Sequence, residues 1–177
     1  MIAFVSGGAR SGKSAYGEAL VRRWQQRDGA RYYLATASAD DAEMAARIAR
    51  HRVERGSGWV TLEAPLALDT ALAEVDAGSV VLLDCLTLWA SRVLFGSSLD
   101  QAEATALLAR TLAKARARDI DLVVVSNDLN EGMPPEDELS WRYLALLQAA
   151  HRQLAAEADV VIQVIAGLPQ VWKGSLP

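Results

Sequence analysis

GGARSGKS, residues 7–14, decides how this chain is read. The octapeptide fits the pattern GxxxxGK[ST], and its setting gives the pattern meaning. IAFVS (residues 2–6) precedes it and reads as a buried strand, while residues 15–26 follow it with a helical pattern. A strand that runs into a glycine-rich turn and then a helix is the local architecture of a phosphate-binding loop. Gly7 and Gly12 let the backbone curl so that amide hydrogens across Gly8, Ala9, Arg10 and Ser11 point inward. The helix N-terminus adds the positive end of its dipole. Lys13 would reach the β- and γ-phosphates of a nucleoside triphosphate, and Ser14 would ligate Mg²⁺. The cradle specifies the ligand more than the reaction, because kinases, GTPases and motors share it.

Outward from the loop, short β-rich runs alternate with longer helical patterns. RYYLAT (31–36), WVTLE (59–63), VVLLD (80–84), IDLVVVS (120–126) and DVVIQVIAG (159–167) read as strands. Residues 41–53, 65–75, 86–95, 99–118 and 137–157 read as helices, the first with Asp40 as N-cap and Glu43 three residues on. Continuous apolar strands separated by helices predict an α/β fold of the P-loop NTPase kind: a mostly parallel sheet with helices on both faces. At 177 residues, with no linker, repeat or low-complexity tract, residues 1–177 read as a single P-loop nucleotide-binding domain. The tail LPQVWKGSLP is either a short edge segment or loose.

Composition narrows the classes. The net charge of −4 argues against a general nucleic-acid binder, so any positive field must be local. A lone cysteine, Cys85, cannot form an intrachain disulfide and fits a reducing cytoplasm. MIAFVSGG lacks the charged and apolar regions of a signal peptide, and no run is apolar and long enough to predict a membrane span.

Two further residues attract attention. Asp84 closes the buried strand VVLLD, where an acid can hold Mg²⁺ through water; the other reading is a cap for the helix beginning at Leu86. His51 lies in RIARHRVER (47–55), where four arginines face a single acid, Glu54. In a helix Glu43, Arg47 and His51 share one face. Neighbouring cations disfavour the protonated imidazole, and a neutral imidazole can act as a nucleophile. Arginines beside it can bind phosphate oxygens and neutralise charge developing on phosphorus. Spacing alone equally suits a solvated basic helix. His151, in a long helix beside Arg152 and Gln153, reads as structural and without an obvious partner.

Collinear pieces spanning nearly the whole chain carry a resemblance. They are GGARSGKS, YLATA (33–37), DAEMAARIARHR (41–52), WVTLE, LLDCLTLW (82–89), VVVSN (123–127) and AGLPQVWKG. Together they resemble the bifunctional adenosylcobinamide kinase and adenosylcobinamide-phosphate guanylyltransferase family of cobalamin biosynthesis. The resemblance implies that a nucleoside triphosphate phosphorylates the aminopropanol hydroxyl of adenosylcobinamide. GTP then gives GMP to a histidine, matched by His51, and the GMP passes to adenosylcobinamide phosphate to form adenosylcobinamide-GDP. By the same matching Thr36, Ala37, Ser38, the stretch His51, Arg52, Val53 and Glu54, and Glu63 lie along the nucleotide, and Asp84 takes the metal side. A carboxylate such as Glu63 suits the adjacent donors of guanine. GTP and ATP are the implied substrates, Mg²⁺ the implied cofactor and a homotrimer the implied assembly.

The chain departs from the family pattern mainly in its C-terminal half. After VVVSN it reads DLNEGMPPEDE, so Asp128, Leu129, Asn130 and Asp137 differ, and a later Gly-x-x-Asn appears as Gln148 and His151. An Arg-Pro turn before Trp59 is replaced by Arg55, Gly56, Ser57 and Gly58. A guanylyltransferase without the kinase step, a phosphate-loop kinase for another small alcohol, and a nucleotide-binding regulator are the alternatives.

Overall fold

The computed structural model describes residues 1–25, 29–37, 46, 49–50, 53, 55–129 and 136–176. Seven strands form one sheet in the order β3-β2-β4-β5-β1-β6-β7. These are β1 (Ile2–Gly7), β2 (Arg31–Ala35), β3 (Trp59–Glu63), β4 (Val80–Asp84), β5 (Asp121–Asn127), β6 (Val160–Ile165) and β7 (Leu168–Lys173). Every pairing is parallel except that of β6 with β7. The helices are α1 (Lys13–Trp24), α2 (Leu68–Ala71), α3 (Leu86–Gly96), α4 (Gln101–Ala117) and α5 (Glu138–Glu157).

The uninterrupted apolar strands have a direct physical cause, since side chains alternate between two covered faces. On one face Ile2, Phe4, Val81, Leu83, Leu122 and Val124 pack with Leu72, Trp89, Leu108, Leu112 and Leu147. On the other, Ala3, Val5, Leu82, Val123, Val125 and Ile162 pack with Leu20, Val21 and Trp24 of α1. The α/β layering expected from the sequence is therefore observed.

Boundaries differ where local chemistry outweighs periodicity. α4 begins at Gln101 rather than at Leu99, because Asp100 caps it and Glu103 completes a reciprocal capping box. The expected helix at 65–75 shrinks to α2, whose N-cap residue Ala67 offers no side-chain cap; Leu68, Leu72 and Val75 are nonetheless fully buried. Asp137, one of the residues that departs from the family pattern, caps α5 by accepting from the Ser140 N–H at 2.8 Å. The tail forms the edge strand β7. Ala166 and Gly167, both with positive φ, make the tight turn that joins it to β6. The Asp40 cap and most of the helix expected at 41–53 lie outside the described residues. Among the described residues no helix is long and apolar enough to cross a membrane.

Candidate nucleotide site

Because the strands from β3 to β6 run parallel, their C-terminal ends gather on one edge, the edge where open α/β sheets bind ligands. Register aligns Ala35 with Asp84, Asp84 with Val125, and Gly7 with Asn127. Beyond β1 the loop of residues 8–12 turns into α1.

Two glycines make the turn possible. A Cβ on Gly7 would lie 2.5 Å from the Val164 carbonyl oxygen and from Ser11 Oγ, so only glycine fits there. Gly12 caps α1 with φ of 90°, a left-handed conformation that costs glycine little. Arg10 also takes a positive φ of 59°. The loop is pinned from outside, with Gly7 O accepting from Asp128 N–H at 2.9 Å and Ser11 O from Gly167 N–H at 2.8 Å. Lys13 Nζ donates to Gly8 O at 3.1 Å, folding over the loop. The helix starts at Lys13, two residues earlier than its apolar pattern, so Lys13 and Ser14 stand in the first turn, where amide donors are free for an anion.

A cavity of about 390 Å³ opens beside the loop. Its wall brings together Ala9, Arg10, Lys13 and Ser14 from the loop and α1, Tyr33, Ala35 and Ala37 from β2 and its exit, Asp84 and Cys85 from β4, Asn127 from β5, and Arg55. Among the described residues the wall carries three cations, Arg10, Lys13 and Arg55, against the single carboxylate of Asp84. Such a balance favours an anionic ligand.

Asp84 sits at the floor. The Tyr33 hydroxyl lies 3.3 Å from Asp84 Oδ2 and donates to it. Burial, and then the Asp84 charge, push the Tyr33 pKa well up, so the phenol stays protonated and remains a donor. Thr36 Oγ1 donates to Cys85 O at 2.8 Å and accepts from Cys85 N–H at 2.9 Å, which ties the end of β2 to the end of β4. Ser14 and Asp84 supply a hydroxyl and a carboxylate to one cavity, an oxygen donor set that suits Mg²⁺ together with phosphate and water. Among the described residues there is no cluster of three or more metal-binding His, Cys, Asp or Glu side chains.

The other expected residues fall in different places. Thr36 is buried and faces Cys85 rather than the cavity, whereas its neighbour Ala37 lines it. Glu63 is exposed at the end of the edge strand β3, in register with Ala35 but off the cavity wall. Val53 is 80% exposed and lines a separate, smaller hollow with Gly56, Trp59 and Thr61. Ser38, His51, Arg52 and Glu54 lie outside the described residues. Gly8, Ala9, Arg10 and Ser11 also line a second hollow, of about 340 Å³, against Asp128 and the end of β6.

Sequence reasoning missed several wall residues, Tyr33, Arg55 and Asn127 among them. Their sequence signals were weak: Tyr33 sits within a strand pattern, Arg55 is one of several arginines, and Asn127 merely ends a strand. His151, read as lacking a partner, has one in Ser126.

Comparison with known proteins fits this geometry. The family model described as cobinamide kinase / cobinamide phosphate guanyltransferase matches residues 3–171. The chain is 40% identical over 173 residues to the bifunctional adenosylcobalamin biosynthesis protein CobP of Pseudomonas aeruginosa, covering 96% of each. It is 34% identical to the bifunctional adenosylcobalamin biosynthesis protein CobU of Escherichia coli, covering 95% of this chain and 97% of the relative. Solved structures agree in fold alone. The flagellar accessory protein FlaH of Methanocaldococcus jannaschii superposes with a TM-score of 0.53 at 13% identity, covering 99% of this chain and 81% of that one. A KaiC-like protein of Pyrococcus horikoshii gives 0.51 at 8% identity, covering 92% and 69%.

Proposed function

The chain belongs to the cobinamide kinase / cobinamide phosphate guanyltransferase family, and from that membership we propose that it carries out both reactions in cobalamin biosynthesis. In the first, the aminopropanol hydroxyl of adenosylcobinamide attacks the γ-phosphorus of ATP or GTP. The bond to the β-phosphate oxygen breaks, the nucleoside diphosphate leaves and the hydroxyl proton passes to solvent. In the second, the neutral imidazole of His51 attacks the α-phosphorus of GTP, a P–N bond forms and pyrophosphate departs. A phosphate oxygen of adenosylcobinamide phosphate then displaces the histidine and yields adenosylcobinamide-GDP.

The observation that carries this reading is the single cavity in which Lys13, Ser14 and Asp84 meet at the C-terminal edge of the sheet. Lys13 and the amides of residues 8–14 would hold the phosphates. Ser14 and Asp84 would hold Mg²⁺, which spreads the negative charge of the triphosphate when bound. Thr36, Ala37, Ser38 and residues 51–54 would line the nucleotide, and Glu63 would accept from guanine. Thr36 enters that set through its grip on Cys85 rather than by direct reach into the cavity. The family resemblance further supports a homotrimer, and the lone Cys85 supports a cytoplasmic setting.

The test is covalent labelling with GTP radioactive at the α-phosphate, in the presence of Mg²⁺ and without acceptor. An acid-labile, alkali-stable label on the wild-type chain that disappears in His51→Ala is the expected result. Undiminished labelling of His51→Ala would move the nucleophile elsewhere. No label, with GTP binding intact, would reduce the protein to a kinase or a nucleotide-binding regulator.

A further inference from the structure

The geometry points to Arg55 as a phosphate-binding residue of the cavity, held in place by Tyr33. The inference rests on reading the cavity as a nucleotide site and assigns to it a cation that neither the loop motif nor the histidine supplies.

Arg55 is only 6% exposed, yet its Nε and Nη1 have no hydrogen-bond partner among the described residues. A buried guanidinium with unmet donors is costly unless something else takes them up. One partial compensation is present: its Cζ lies 3.2 Å from the centroid of the Tyr33 ring. Stacking on an aromatic face stabilises the charge and fixes the plane of the fork, but it supplies no acceptor for the in-plane N–H groups. The backbone is fixed as well, because Arg22 of α1 donates to Arg55 O at 3.2 Å. The guanidinium therefore stands preorganised on the wall shared with Lys13 and Ser14.

Acceptor oxygens satisfy these donors, and the phosphates of a bound nucleotide supply them. Tyr33 then serves both charges of the cavity. Its ring face carries Arg55 and its hydroxyl donates to Asp84. The phosphate-side cation and the metal-side carboxylate are thus set by one side chain. Arg55 is a substrate-binding residue in this account, and Tyr33 a positioning residue.

The experiment measures equilibrium binding of the α,β-methylene analogue of GTP, which cannot release GMP, and of guanosine, to the full chain. Arg55→Gln should weaken the analogue by about 10- to 100-fold, the scale of one charge-assisted contact. It should leave guanosine binding unchanged. Arg55→Lys, which keeps the charge and most of the volume, should fall between the two and guards against a variant that fails to fold. Tyr33→Leu should weaken the analogue far more than Tyr33→Phe, since the ring carries Arg55 and Phe keeps the ring. Unchanged analogue binding by Arg55→Gln, or equal losses for analogue and guanosine, would overturn the inference while leaving the nucleotide reading intact. Failure of the wild-type chain to bind the analogue would overturn both. Because no transfer is involved, the outcome is independent of whether His51 is the nucleophile.

Discussion

His151 Nε2 lies 2.7 Å from the hydroxyl of Ser126, joining α5 to the penultimate residue of β5. The imidazole also packs on Phe4, with ring centroids 5.2 Å apart. Ser126 is fully buried and immediately precedes Asn127 of the cavity wall, so this pair ties α5 to the strand that carries Asn127.

Burial lowers the His151 pKa below its ordinary 6.5, with the Asp128 charge opposing more weakly. The linkage sign follows. Above 6.5 neither state holds the proton and the group contributes no pH dependence. As pH falls below 6.5 the unfolded chain takes up a proton that the native chain resists, so stability declines until the native pKa is passed. Denaturant titrations across this range should show a loss on acidification that is smaller in His151→Gln. His151→Phe, which leaves the Ser126 hydroxyl buried and unmet, should cost about 1–3 kcal/mol at neutral pH. An identical pH profile in wild type and His151→Gln would remove the linkage.

Lys13→Ala should depress both phosphoryl and guanylyl transfer by at least about 100-fold, because one cradle is proposed to serve both. Melting temperature should barely change, since the side chain's bond in this structure is to an exposed carbonyl of its own loop. Full retention of either activity in a steady-state assay would show that the loop does not hold the reacting triphosphate.

Asp84→Asn should raise the Mg²⁺ concentration needed for half-maximal activity by about tenfold or more, and Tyr33→Phe by less, as befits a group that orients a metal-side carboxylate. An Mg²⁺ titration that superimposes on wild type would return Asp84 to the role of a strand-end residue.

Glu63→Gln addresses base selection. If its carboxylate accepts from guanine, the preference for GTP over ATP in the guanylyl step should fall by about tenfold. Its exposed place at the end of β3 makes a purely solvated acid the contrasting outcome, with an unchanged ratio of kcat/KM values for the two nucleotides.

Asp100→Ala should lower stability by about 1 kcal/mol by removing the cap of α4, visible as a fall in Tm of about 2–4 °C. Activity at low temperature should be unaffected, because Asp100 lies on no wall of the cavity. A loss of activity without a loss of stability would contradict a purely capping role.

By itself the sequence determined the elements whose physics is local. The run IAFVS, the glycines at 7 and 12 and the lysine at 13 are contiguous, and each acts on its immediate neighbours, so the strand, loop and helix could be read in order. The continuous apolar strands likewise revealed a sheet covered on both faces. Short-range competition was harder to weigh, which is why the cap at Asp100 moved the start of α4 and why the expected helix at 65–75 shortened to Leu68–Ala71.

Tertiary structure alone decided what meets across the sheet edge. Tyr33 and Asp84 are 51 positions apart and His151 and Ser126 are 25 apart. Neither spacing carries a periodic signal. Parallel pairing of β2 with β4 places Ala35 opposite Asp84, and only that register brings the end of β2 to the acid. Arg55 could not be distinguished from the other arginines of RIARHRVER until the fold buried it on Tyr33 and left two of its donors unmet. Local propensity and spacing are properties of neighbours along the chain, whereas burial, register and unmet charge are properties of neighbours in space.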